Sequence, residues 1–158
     1  LRAEGVGFPG HFLVQVKLAE GRVVIDPFTG QSLDRAELRD RVEEWRPDLA
    51  GLPRDDRALA PYLRPVGPRL ILARMLRNLQ DIHRTQEDWR RFVRVQDRLV
   101  TLLPEAWVEY RDRGLALAEL GEARRAAEDL ALYLRESGDA SDRDVMASRL
   151  RELGGHAR

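Results

Sequence analysis

The sequence contains no cysteine. That absence removes disulfides, Cys-ligated zinc and any thiol nucleophile from the residues shown. No apolar run approaches the roughly 20 residues that a membrane-spanning helix needs. Net charge is missing too. The 27 basic and 27 acidic side chains cancel and the pI is about 7.1, which gives no electrostatic case for nucleic acid. Lysine is almost absent: Lys17 is the single lysine among the 27 basic residues, a bias that fits GC-rich coding better than a function. No signal peptide is read, because Leu1-Arg2-Ala3-Glu4 runs straight into a strand pattern. A soluble, cytoplasmic protein is expected.

What remains is enough for a core. The 158 residues suit one compact domain or two small units, and 43% are hydrophobic. In the stretch from Phe8 to Leu18, Phe12, Val14, Val16 and Leu18 share one face and His11, Leu13, Gln15 and Lys17 the other. That period of two marks a half-buried strand. Glu20-Gly21 is the expected turn and Val23-Val24-Ile25 the return strand, which Asp26-Pro27 ends. Nothing ahead of this hairpin reads as a pairing element, so the sequence is expected to begin partway through a domain. An exposed hairpin edge would then favour self-association, hence a possible homodimer.

A helix should follow from Asp34, with Glu37 completing a capping box, Leu33 and Leu38 at staple positions, and Leu38, Val42 and Trp45 as its stripe. From Pro47 to Pro68 lie five of the eight prolines, together with Gly51 and Gly67. This reads as a connector with one short helix around Arg57 to Leu63. Beyond it the pattern is helical. Leu72, Met75, Leu76, Leu79 and Ile82 form one stripe, and Thr85 is the expected cap of the next helix, which carries Trp89, Phe92, Val93, Gln96, Leu99 and Val100. Pro104 would open a third helix that Gly121 closes, a fourth would end near Ser137-Gly138, and Ser141 would cap a fifth.

Short helix pairs invite a period test. The tetratricopeptide pattern repeats every ~34 residues with small residues where two helices meet. Tyr110, Gly114, Leu117, Ala126 and Leu130 fall at its signature positions. In the repeat before, Leu76, Leu79, Phe92 and Leu99 fit, while His83 and Gln96 stand where larger apolar residues belong. The expected architecture is α+β: an N-terminal antiparallel hairpin plus helix over 1–46, the connector over 47–68, and an all-α helical array over 69–155.

His11 and Asp26 are the candidate functional pair. An even-numbered hairpin loop puts both side chains on one face. A four-residue loop would set them opposite each other with Cβ atoms roughly 5 Å apart; a two-residue loop would move Asp26 opposite Gln15. The first arrangement suits a carboxylate that orients an imidazole, a pair that activates a nucleophile from a third element. A polar spot on a hairpin is the plainer account. His83 reads as a surface or interhelical residue, His156 as part of the tail, and Asp55-Asp56 as a solvated pair. Glu87, Asp88 and Asp97 offset the five arginines between Arg84 and Arg98. No third ligand converges for a metal, and no cofactor is implied.

The blocks "GVGFPGHFLVQV", "VVIDPFTG", "RPVGPRLILARMLRNLQDIH" and "YRDRGLALAELGEARRAAEDLALYL" resemble the bacterial SirB-type family, in which a transglutaminase-like domain precedes tetratricopeptide repeats. The resemblance runs over nearly the whole chain. It implies a papain-like order of Cys, His and Asp in which His11 matches the histidine and Asp26 the aspartate, with the nucleophile upstream of residue 1. On that footing the chain is the latter part of the catalytic-type domain plus the repeats, without acyl-transfer activity of its own. Its expected role is a scaffold or regulatory module that binds a protein or peptide. The competing class is a cysteine-dependent transferase, protease or deamidase in a full-length protein.

Overall fold

The computed structural model describes residues 2–49, 56–138 and 140–155. The chain divides into two compact units, Leu1–Ile71 and Leu72–Arg158. The first holds four antiparallel strands in sequential order, β1 (Arg2–Gly7), β2 (Phe12–Leu18), β3 (Gly21–Ile25) and β4 (Ser32–Leu33), followed by helix α1 (Arg35–Trp45). Two of these strands are additions to the sequence reading. β1 pairs with β2 along its whole length, from Arg2↔Lys17 to Gly7↔Phe12, so the β2 edge expected to be open is covered.

Register decides which face of β2 is inside. Val6 lies across from Leu13, Gln15 across from Val24, and Val24 across from Leu33. Opposed residues point to the same side of a sheet, so these form one face. With Leu38 and Val42 from α1, its apolar members make a core in which each is buried, every such side chain contributing ~1.5–3 kcal/mol. The inward set of β2 is therefore Leu13 and Gln15, whereas Phe12, Val14 and Val16 are half-buried and Leu18 is exposed. The more apolar face of the strand is thus not the one turned to this core, because α1 packs over the other.

The helix after the sheet starts where the capping box places it. Asp34 Oδ1 accepts from the Ala36 and Glu37 N–H groups, and the Glu37 carboxylate accepts from the Asp34 N–H at 2.8 Å. Removing such a cap costs about 1 kcal/mol. Further on, α2 (Asp56–Leu59) runs into a 3-10 turn (Ala60–Leu63), the short helix foreseen around Arg57 to Leu63, and Leu59 joins the sheet core.

Five helices follow: α3 (Pro68–Thr85), α4 (Trp89–Leu102), α5 (Trp107–Glu119), α6 (Ala123–Glu136) and α7 (Arg143–Gly155). Two of the expected boundaries move. Thr85 ends α3, its hydroxyl donating to the Asp81 carbonyl, and Asp88 caps α4 by accepting from the Arg91 N–H. Pro104 lies in the turn before α5; a residue without an N–H suits a turn as well as a first helical position. The other end of α5 behaves as read. Gly121, at φ 75°, donates to Ala118 O while Glu122 N donates to Leu117 O, the paired closure of a left-handed C-terminal glycine.

The close helix pair sits where the period placed it. A Cβ on Gly114 would meet Leu130 Cγ at 3.1 Å and the Ala126 carbonyl at 3.2 Å, and Ala126 is fully buried. Thirty-four residues earlier the equivalents of Gly114, Leu117 and Leu130 are Gln80, His83 and Gln96. Gln80 and Gln96 are buried, and Gln96 Nε2 donates to the Glu109 carbonyl at 3.2 Å. Gln96 Oε1 and His83 Nδ1 are buried and have no hydrogen-bond partner among the described residues.

Candidate functional site

A tight turn sets His11. Phe8-Pro9-Gly10-His11 closes with His11 N donating to Phe8 O at 3.2 Å, and Gly10 takes φ 68°, the geometry of a turn with proline second and glycine third. Gly10 has a second constraint, because a Cβ there would lie 2.0 Å from the Trp45 indole. His11 leaves this turn half-buried, immediately ahead of β2.

Asp26 ends β3 at 3% exposure. Its Oδ1 accepts from the Phe28 N–H and its Oδ2 from Arg41 Nη1 on α1, both at 2.9 Å. Its backbone braces the following loop, donating to Gln31 O and accepting from Gly30 N. The Arg41 hydrogen bond, followed by that from the Phe28 N–H, holds the carboxyl below the ordinary aspartate value against the cost of burial.

The loop has two residues, one of the lengths considered from the sequence, but it lies one residue earlier than Glu20-Gly21, and so the register differs from both arrangements. The turn is Ala19-Glu20, and β3 begins at Gly21, whose φ of 146° favours glycine. The ladder closes at Val14↔Ile25, so its continuation sets Asp26 across from Leu13. His11 stands in the bend ahead of β2 and Asp26 directly after β3, both outside the paired residues of the ladder. Among the described residues no hydrogen bond joins them; the carboxylate is taken up by Arg41 and the turn. Sequence reading missed Arg41. The only trace of it was position, one residue before Val42 on the helix that covers the sheet.

The second unit offers a different kind of site. A cavity of about 450 Å³ is lined by Arg84, Trp89, Phe92, Arg111, Leu115 and Met146, among others. Its rim is a chain of ion pairs. Arg84 meets Asp112 at 2.8 Å, and Arg111 meets both Asp112 and Asp142 at 2.7 Å. Tyr133 donates to Asp142. Burial opposes the Arg111 charge, and the two carboxylates outweigh it, holding the guanidinium above its ordinary pKa. Arg77 binds Glu109 in the same way, at 2.8 Å. Arg77 and Arg111 are one ~34-residue period apart, a signal legible in the sequence once the repeat is aligned.

Of the remaining candidates, His83 is half-buried on α3. Within the arginine cluster Arg91 pairs with Asp88, and Asp97 pairs outward with Arg113. His156, Asp55 and the Asp56 side chain lie outside the described residues. Among the described residues no three His, Asp or Glu side chains converge as metal ligands, and no helix is long and apolar enough to cross a membrane.

Comparison with known proteins divides the chain at nearly the same place. Residues 1–77 match the transglutaminase-like superfamily and residues 79–151 a tetratricopeptide repeat family. A UPF0162 protein of Xylella fastidiosa strain 9a5c is 43% identical over 151 residues, covering 95% of this chain and 53% of the relative. A UPF0162 protein of Pseudomonas aeruginosa is 29% identical over 152 residues, covering 94% of this chain and 52% of the relative. The chain thus spans about half the length of the curated relatives it matches. No solved structure matches it. The architecture is a four-stranded sheet with its helix, the transglutaminase-like part, followed by a tetratricopeptide-like helical array.

Proposed function

We propose that this chain, whose first half matches the transglutaminase-like superfamily and whose second half matches tetratricopeptide repeats, is a cytoplasmic interaction and regulatory module that binds a protein or peptide through its repeats. The supporting observation is the cavity bounded by Trp89, Leu115 and Met146 and rimmed by Arg84 and Arg111, since stacked helix pairs present such concave surfaces to extended partners. In this reading the apolar wall takes a side chain of the partner. The arginines, already engaged by Asp112 and Asp142, shape the rim rather than act as free charges. A peptide array followed by titration of its hits should give saturable binding that Leu115→Ala weakens about tenfold without loss of helicity. Absence of any saturable peptide or protein ligand would remove the reading.

A second reading rests on His11 and Asp26 standing at the adjoining ends of the paired strands β2 and β3, inside the stretch that matches the transglutaminase-like superfamily. Here the full-length protein is a cysteine-dependent acyl-transferase, protease or deamidase, and His11 and Asp26 complete its triad. Asp26 must then orient the imidazole while Arg41 retains its other oxygen. The test uses a full-length protein that carries a cysteine at a helix start ahead of this region. Its Cys→Ala variant should lose labelling by a thiol-directed electrophile, and His11→Ala should slow that labelling. Equal labelling of all three forms would exclude catalysis by this pair.

A further inference from the structure

Helix α3 carries its apolar residues on the side where a surface helix carries polar ones. Leu72, Met75, Leu79 and Ile82 are 51%, 58%, 45% and 49% exposed, whereas Gln80 is 5% exposed. On the inward face Ala73 and half-buried Leu76 pack with Val95 and Leu99 of α4, buried Gln80 donates to Asp112 of α5 at 3.2 Å, and His83 is half-buried. An ordinary amphipathic helix turns its apolar stripe to the core. Here a continuous stripe of four large side chains faces water, and none of the four lines the repeat cavity.

The spacing of the stripe identifies what fits it. Steps of three, four and three residues are the a and d positions of a heptad seam, which receives another helix. The order three-four-three also reads the same backwards. Two copies of α3 laid antiparallel, crossing level with residue 77, place Leu72 against Ile82 and Met75 against Leu79 at every step. The positions bordering the seam raise no electrostatic objection. They are Ile71, Leu76, Asn78, His83 and Thr85, with Arg69 alone charged and located at one end, so the two arginines of an antiparallel pair stand at opposite ends. The exposed stripe is on the order of 400 Å² per copy, the size of patch that marks an interaction site. Twice that, with the flanking residues, falls at the low end of specific interfaces.

We infer that α3 is a self-association surface on which two copies of this chain pair antiparallel through Leu72, Met75, Leu79 and Ile82. None of the four side chains belongs to the repeat cavity. The dimer belongs to the weak, concentration-dependent class.

The test is sedimentation of the 158-residue chain from roughly 1 to 100 μM. The unsubstituted chain should pass from monomer to dimer across that range. Met75→Glu and Leu79→Glu should each raise the midpoint at least tenfold with unchanged circular dichroism, since both side chains point to water. Because the chain has no cysteine, orientation is read by oxidative cross-linking of introduced ones. Leu72→Cys mixed with Ile82→Cys should give the cross-linked heterodimer, and Leu72→Cys alone should give little. A chain that stays monomeric at the highest concentration overturns the inference, as does a dimer indifferent to both glutamates or one in which Leu72→Cys cross-links to itself. A longer protein containing this chain that is monomeric, with the stripe protected from labelling, would assign the seam to another segment and overturn it equally.

Discussion

Gly10 meets two demands at once. Its φ of 68° excludes most side chains, and the Trp45 ring occupies the space a Cβ would take. Gly10→Ala should therefore cost about 1–2 kcal/mol, read by denaturant titration. A shift of tryptophan emission should accompany it, because Trp45 is already 55% exposed and yields more easily than the backbone. Asp26 is the other residue at which position and stability coincide. Its carboxyl is held below the ordinary value by Arg41 and the Phe28 N–H, so the unfolded chain binds a proton there first as pH falls. Its contribution is complete above the unfolded value near pH ~3.9 and is lost below it, as pH drops through the folded value. Asp26→Asn should cost about 1–2 kcal/mol at neutral pH. It should also flatten the acid limb of a stability–pH curve; an unchanged limb would show that the Arg41 pair contributes nothing.

Among the elements, the two repeats show what one substitution per position does to a shared plan. At the place where the second repeat has Leu130, the first has Gln96, buried, with one amide atom bonded and the other unpaired. Gln96→Leu removes the unpaired oxygen, while the Glu109 carbonyl it bonded belongs to α5 and has a helical donor. The variant should be more stable by about 1 kcal/mol, a rise of roughly 2–4 °C in Tm. A fall would mean that the polar contact between α4 and α5 matters more than its unpaired atom. The period and the Gly114–Ala126 approach could be read from the sequence because they depend on side-chain size at a fixed interval. The caps of α4 and α5 could not, since Thr85 and Pro104 are chemically acceptable one turn away from where they were expected.

At the scale of the whole molecule, side chains tie successive repeats together. Arg77 reaches Glu109, and Arg111 reaches Asp142, which Tyr133 also engages. Asp142→Asn loosens both contacts and should lower Tm by several degrees, corresponding to about 1–2 kcal/mol. The effect should persist in high salt, because Arg111 and Asp142 are 26% and 28% exposed and partly buried pairs are screened less. Loss of the difference at high salt would reduce the ladder to surface electrostatics. The transglutaminase-like and repeat parts were both legible in the order of sequence blocks, and the candidates His11 and Asp26 only as far as their places at the ends of two paired strands. Arg41 and the cavity between the repeats were not legible, because both assemble residues distant in sequence.

The amino-acid sequence alone determined the β2–β3 hairpin, the helix that Asp34 caps and the ~34-residue interval of the array, because periodicity and capping act over a few neighbouring residues. Tertiary structure decided which face of β2 is inside, what the Asp26 carboxylate binds and which side of α3 faces water. Each of those is a choice between two locally acceptable arrangements, and only pairing with a distant segment supplies the free-energy difference that selects one.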